Sequence, residues 1–395
     1  MPSVSLQHLL DACRPGGASV LTSVTPLEPA AGPHASVAPA KFVEGSRSVF
    51  AYERRFWAGE AVTAVVIDSK QSQNNRLEAV VSSAIADDDP VLTSLPRIEL
   101  RFADGQVYND FDLPHRAFDG QIRAGTISGE PATDAGEYRR LRDATVLHAR
   151  PLLERSPMTL LLGGWDASRK SHQGRYRSIL VGEVIGILAD QTGGPEANQS
   201  KRGGARIDPV GMRIDLPDKD RKAIADAQKN ELSEGTYKSA SGRNGKASVL
   251  GLGGVPPSLE QLGGVTCRGI IRSHVLSFAA LRALRFDCTT QEGDVACRAL
   301  LAALALNGLA RSDAELLLRA NCDLVEAGPA VVTLDRRYGK KETFEPLSID
   351  QAQELLSAAI ENAESRADLT WNGSVLVVDG SPAILSAAGD EAQDD

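Results

Sequence analysis

The order of apolar and polar positions along this chain predicts strands and helices in mixed succession, with no internal repeat at a fixed period. Ala18–Leu27 reads as a first strand, followed by a loop rich in Pro, Gly and Ala from Glu28 to Ala40. Ser46–Phe56 and Ala61–Ile67 read as two strands joined at Ala58, Gly59 and Glu60. Leu77, Val80, Val81 and Ile85 then recur at helical spacing, and the run Asp87, Asp88, Asp89, Pro90 stops that helix near Ala86. Arg97–Phe102 alternates ahead of a turn at Asp104 and Gly105 and predicts another strand. Thr159–Trp165 and Tyr176–Ala189 bracket a loop, SRKSHQG, with the composition of an exposed basic tip. From Asp190 to Gly264 the pattern is lost, apart from a short helical stretch near Lys219–Gln228. Loops of that length inside a domain are functional or partly disordered, so a protruding element ordered by a ligand is expected there. Ser273–Leu284 and Val295–Leu309 read as helices. Ser312 with Glu315 has the spacing of a capping box ahead of a short helix that leads into a strand at Asn321–Glu326. Ser348 and Gln351 open a further helix by the same signature, Trp371–Val378 reads as a final strand, and Ser381–Asp395 as a frayed end. The fold class this implies is α+β.

One junction concentrates polar chemistry. Between the buried strand Val65, Val66, Ile67 and the helix that starts near Leu77 lie Asp68, Ser69, Lys70, Gln71, Ser72, Gln73, Asn74, Asn75 and Arg76. A helix N-terminus offers unpaired N–H groups and a positive dipole end, so a phosphate there gains several hydrogen bonds, and Lys70 and Arg76 add charge. A capping Ser or Asn with solvated neighbours accounts for the same residues without a ligand. Asp68 likewise has two readings, a metal ligand against a scissile phosphate or a helix cap that pairs with Arg76. A lone carboxylate beside amides favours the second, because metal catalysis assembles several ligands.

Composition narrows the class. With 395 residues, 42% of them hydrophobic, the chain can bury a sizeable core in one large or two modest domains. No apolar run approaches a membrane span of roughly 18 residues, and the first residues lack a basic, then apolar, leader, so a cytoplasmic setting is expected. The five cysteines are widely spaced without a CxxC pair and predict neither disulfides nor zinc. The net charge of −9 is uneven: Glu342–Asp395 holds twelve acids against Arg366 alone, leaving the first 341 residues at +2. Within them Tyr138–Arg177 carries +6, and Cys267–Phe286 has four arginines and no acid. Such clusters suit a nucleic-acid track, and each taken singly also suits a solvated helix face.

Enzyme signatures are missing. Gly242–Ala247 lacks the first glycine and the Ser or Thr of a phosphate loop, and Gly251, Gly253 and Gly254 run into Pro256 and Pro257 rather than a helix. The sequence has no GxSxG, no HExxH and no His-Asp pair. Of six scattered histidines, His115 beside Arg116 and His172 near Lys170 and Arg175 are placed to touch a polyanion. An RNA-recognition strand rich in aromatics is absent, so phosphate and 2′-hydroxyl contacts are expected in place of base stacking.

Four segments carry a family resemblance: IDSKQSQNNRLE at Ile67–Glu78, PHRAFDGQIRAG at Pro114–Gly125, TLLLGGWD with RYRSILVGEVIGILA within Thr159–Ala189, and LLLRANCDLVEA at Leu316–Ala327. Across most of its length the chain resembles the backbone subunit of the type I-G (formerly I-U) CRISPR Cascade complex, in the Cas-seven superfamily. The region Lys219–Gly264 carries no such likeness. The resemblance implies a modified RNA-recognition-motif (ferredoxin-like) palm over residues 1–380. It also implies a finger-like insertion at 28–60, a thumb-like one at 190–264 and an acidic disordered tail at 381–395. It implies a non-enzymatic subunit, without metal or cofactor, that polymerises head to tail along the spacer of a CRISPR RNA and presents bases to target DNA. Its partners would be that RNA, target DNA, further copies of itself and other Cascade subunits, with no membrane. The expected RNA contacts are Ser69, Lys70, Gln71, Ser72, Gln73, Asn74, Asn75 and Arg76, with His115, Arg116, Arg169, Lys170, His172 and Arg175 extending the track. Lys201, Arg202, Gly203, Gly204 and Arg206 would form a flexible clamp. Two alternatives stay open: a metal-dependent RNA endonuclease using Asp68, and an adaptor that binds only proteins.

Overall fold

Strand β1 (Val20–Pro29) buries Leu21, Ser23, Thr25 and Leu27 on one face and leaves Val24, Pro26 and Glu28 exposed, the two-residue period of a half-covered sheet. The hairpin β2 (Tyr52–Trp57) and β3 (Glu60–Asp68) turns at Ala58 and Gly59, both with positive φ, which matches the twist of the strands they join. β3 feeds helix α1 (Lys70–Ala86) with Ser69 alone between them, and Ser69 caps the helix by accepting from the Ser72 N–H. β4 (Leu180–Leu188), β5 (Cys267–Ser277), helix α2 (Gln291–Glu315), β6 (Val331–Asp335), β7 (Lys341–Phe344) and helix α3 (Ile349–Ala367) complete the core.

The computed structural model describes residues 2–206, 214–253, 255–320 and 322–388, which fall into two units. In the first, running to Asn198 and again from Thr266 to Ser381, the central sheet has the order β7-β6-β1-β5-β4-β3-β2, every pair antiparallel, with Leu324–Glu326 added beside β1. Its inner part, β6-β1-β5-β4, is the 4-1-3-2 arrangement of two split β-α-β units, with α1 and α2 as the crossover helices. The architecture is therefore α+β around an antiparallel sheet, consistent with the RNA-recognition-motif class. A smaller sheet pairs Arg97–Arg101 in parallel with Val375–Asp379. In the second unit, Gln199–Arg206 pairs with Val255–Val265, and Asp218–Ala227 and Glu234–Ser241 are helices.

Helix α2 is the centre of the first unit. It alone, among the described residues, is long and apolar enough to cross a membrane, and its apolar window is wholly buried in the protein, as a core helix is. Ser348 opens α3 with a full capping box: its hydroxyl accepts from Gln351 N at 3.2 Å and Gln351 Oε1 accepts from Ser348 N at 3.0 Å.

Several expectations are corrected. The polar stretch Lys70–Arg76 is not a loop but the first two turns of α1. Thr159–Leu162 lies in a helix, Pro157–Leu162, with only Gly164–Trp165 extended after it. Ser273–Ser277 belongs to strand β5, and a helix covers only Phe278–Ala283. Ser312 and Glu315 lie inside the last turns of α2 and cap nothing. Lys219–Gln228 is helical, over Asp218–Ala227, within a region that holds far more regular structure than its composition suggests. Residues 207–213 of that region, Asn321 and most of the acidic end lie outside the described residues.

Candidate nucleic-acid interface

Helix α1 divides the polar motif between its inner and outer faces. Asp68 and Gln73 are buried, and the Gln73 amide donates to Asp68 Oδ2 at 2.6 Å while accepting from Arg272 Nε at 3.0 Å. Arg272, on the inner face of β5, continues to Asp313 Oδ1 at 2.5 Å and Ser312 Oγ at 2.9 Å near the end of α2. This chain ties sheet to both crossover helices, so Gln73 has both ends of its amide committed inside the protein. Asp68 neither caps α1 nor pairs with Arg76. Its Oδ1 and the Ser72 hydroxyl are buried without a hydrogen-bond partner among the described residues. Arg76 turns away from the rest of the motif into a groove shared with Arg311 and Ser312.

The remaining amides meet residues from two other segments. Gln71, Asn74, Asn75 and Glu78, one stripe at i, i+3, i+4 and i+7 of α1, line an open cleft together with Pro114–Arg116, Leu162–Trp165, Arg175, Tyr176 and Ser178. His115, Arg116, Trp165 and Arg175 share that lining. Lys70 sits at the start of the same helix, exposed, with its Nζ 3.9 Å from Glu183.

The bases differ in how free they are. Arg116 is bound to the buried Glu78 carboxylate and donates to the Gly163 carbonyl at 3.0 Å, so it is a strut of the cleft wall. Burial pushes the Glu78 carboxyl up, to about 7, against the pull of that guanidinium. Arg169 is likewise tied down, to Asp143 and to the Arg142 carbonyl at 2.7 Å. Lys170, His172 and Arg175 are exposed. The Arg175 guanidinium lies 5.2 Å from the centre of the Trp165 ring. In the second unit, Lys201, Arg202, Gly203, Gly204 and Arg206 run in the strand Gln199–Arg206, and the side chains of Arg202 and Arg206 lie outside the described residues.

Two cleft residues were not singled out by sequence. Trp165 is 52% exposed, and Tyr176, stacked on Phe118 with centroids 6.1 Å apart, has a buried hydroxyl without a partner among the described residues. The only local signal was a tryptophan directly after the glycines at 163 and 164, at the mouth of a basic loop. Among the described residues no group of three or more His, Cys, Asp or Glu is placed to hold a metal ion.

Residues 21–191 match the model of a family described as CRISPR-associated protein GSU0053, a stretch that takes in every wall of the cleft and a little under half of the chain. No curated protein matches the chain. The matched stretch is therefore similar to a CRISPR-associated family.

Proposed function

We propose that this chain is a non-catalytic RNA-binding backbone subunit of a type I Cascade complex, of which several copies line the spacer of a CRISPR RNA and present its bases to target DNA. The observation that carries the reading is the cleft that draws Gln71, Asn74 and Asn75 together with His115 and Arg175, residues from three separate segments, inside the stretch that matches a CRISPR-associated family. Exposed Lys70, Lys170 and Arg175 supply positive charge on the same unit, and His172 is exposed as well. The endonuclease reading has less support, because the Asp68 carboxylate is wholly buried and one oxygen is taken by Gln73.

The test is salt-dependent binding of the purified protein to CRISPR RNA. Phosphate contacts predict a log–log slope of roughly −0.7 per neutralised phosphate. The variant K70A/K170A should weaken binding by a similar factor for unrelated spacers and flatten the slope. Binding without salt dependence, or a loss confined to particular sequences, would count against the proposal, and a protein that takes up no RNA would be an adaptor.

A further inference from the structure

Two of the five cysteines meet in the folded protein. Cys288 lies in the segment that leads into α2, and Cys297 faces it from the second turn of that helix, with the sulfurs 4.0 Å apart. The approach depends on Gly293: a Cβ there would stand 2.9 Å from Cys288 Cβ and 3.2 Å from its sulfur, so no side chain separates the segment from the helix. Asp294 holds the same segment in place, accepting from Phe286 N at 2.9 Å and from Arg285 Nη1 at 3.0 Å. The sulfurs are thereby kept facing one another, and a closure of about 2 Å would bond them.

The two thiols are differentiated. Cys297 is fully buried, and its Cys288 neighbour and that burial both push it up. Cys288 is half-buried among the exposed Asp287, Thr289 and Thr290, so a small solute reaches it. The hydrogen bond from Cys297 holds the Cys288 thiol below its ordinary value, against burial and Asp294. Arg150, anchored on the Ala367 and Asp368 carbonyls at 2.8 and 2.6 Å, adds positive charge in the same sense. Cys13, Cys267 and Cys322 are instead pushed up by burial, to about 12, 12 and 11.

A nucleophilic sulfur within reach of solvent, with a second thiol behind it, is the arrangement that peroxide oxidation uses. We propose that Cys288 is a hydroperoxide-reactive site and Cys297 its resolving partner. The Cys288 thiolate attacks one oxygen of hydrogen peroxide and becomes a sulfenic acid as the O–O bond breaks, and the departing hydroxide takes up the proton that Cys288 had released. The Cys297 sulfur then displaces the sulfenic hydroxide and gives it its proton, leaving a disulfide. Two thiols are oxidised and one peroxide is reduced to two waters. The bond staples the segment before α2 to the helix, and a dithiol reductant reverses it. This site goes beyond the RNA-binding reading and does not depend on it.

The experiment treats the full-length protein, reduced and freed of reductant, with hydrogen peroxide and maps it by mass spectrometry. The tryptic peptide 286–298 carries both cysteines, so it should lose two hydrogens and regain them with dithiothreitol. Cys288 should react about tenfold or more faster than Cys13, Cys267 or Cys322. In C297S the reaction should stop at a Cys288 sulfenic acid that dimedone traps, and in C288S the peptide should stay unchanged. The oxidised parent should melt a few degrees above the reduced one. If both thiols of the peptide stay free in peroxide, or Cys288 reacts no faster than the other three, the inference falls. The parent alone decides that outcome, so poor folding of C297S, a change in the core, leaves the test intact.

Discussion

Glu78 shows how a single buried carboxyl can make the cleft respond to pH. Its folded-state value lies near 7 against an ordinary 4.5, so it binds a proton more tightly in the folded protein than in the unfolded chain. The stability it contributes is therefore complete below pH 4.5 and is lost as pH rises through about 7. Unfolding free energies of the parent and of E78Q, measured from pH 4.5 to above 7, should diverge by roughly 3 kcal/mol, with the parent losing ground as pH rises. Parallel curves would show that Glu78 is not buried as described. Asp110 and Asp313, both pushed up to about 6 by burial, act in the same direction in both proteins. His274, forced down to about 3 in its buried site, has the opposite sign: its contribution is present above pH 6.5 and is lost as pH falls towards 3. At this scale sequence reading was weakest. Arg116 looked like a free base beside His115, and nothing local shows that its partner lies on a helix that begins 46 residues earlier.

Between elements, β4 and β5 meet where Gly182 faces His274 across the ladder. A Cβ at residue 182 would stand 2.1 Å from His274 Cδ2, so the imidazole lies directly on the glycine backbone. G182A should cost about 1–3 kcal/mol, and the same substitution in an H274A background should cost much less. Equal costs in the two backgrounds, read by urea unfolding, would remove the contact from the account. β5 was expected to be helical from Ser273 onward, and the reason for the miss is physical. Arg272 and His274 occupy inward positions that an alternating strand normally fills with apolar residues. Arg272 is tolerable there only because Gln73, Ser312 and Asp313, contributed by two helices, satisfy it. Where partners are local, reading succeeded: the Ser348 capping box, the Ala58–Gly59 turn and the acidic stop after Ala86 all appear where the residues put them.

For the molecule as a whole, the excursion Gln199–Val265, the larger part of the second unit, leaves and re-enters the first at adjacent points, since Thr266 N donates to the Asn198 carbonyl at 3.0 Å. Replacing residues 199–265 by a short Asn-Gly turn should leave the central sheet intact, with retained circular dichroism and one cooperative thermal transition. A broad, non-cooperative melt would mean that the first unit needs the second in order to fold.

By itself the sequence determined the α+β class, the strand that leads into the polar junction and the helix that follows it, and the starts and stops of helices whose caps lie within a few residues of one another. Those signals work because hydrogen bonding and side-chain period act over short separations. Only the tertiary structure decided the strand order β6-β1-β5-β4, which amides of α1 face inward, and which arginines are struts. Those outcomes depend on charges being buried or satisfied by groups far away in the chain, as when α1, the Pro114–Arg116 turn and the Trp165 strand close around one cleft.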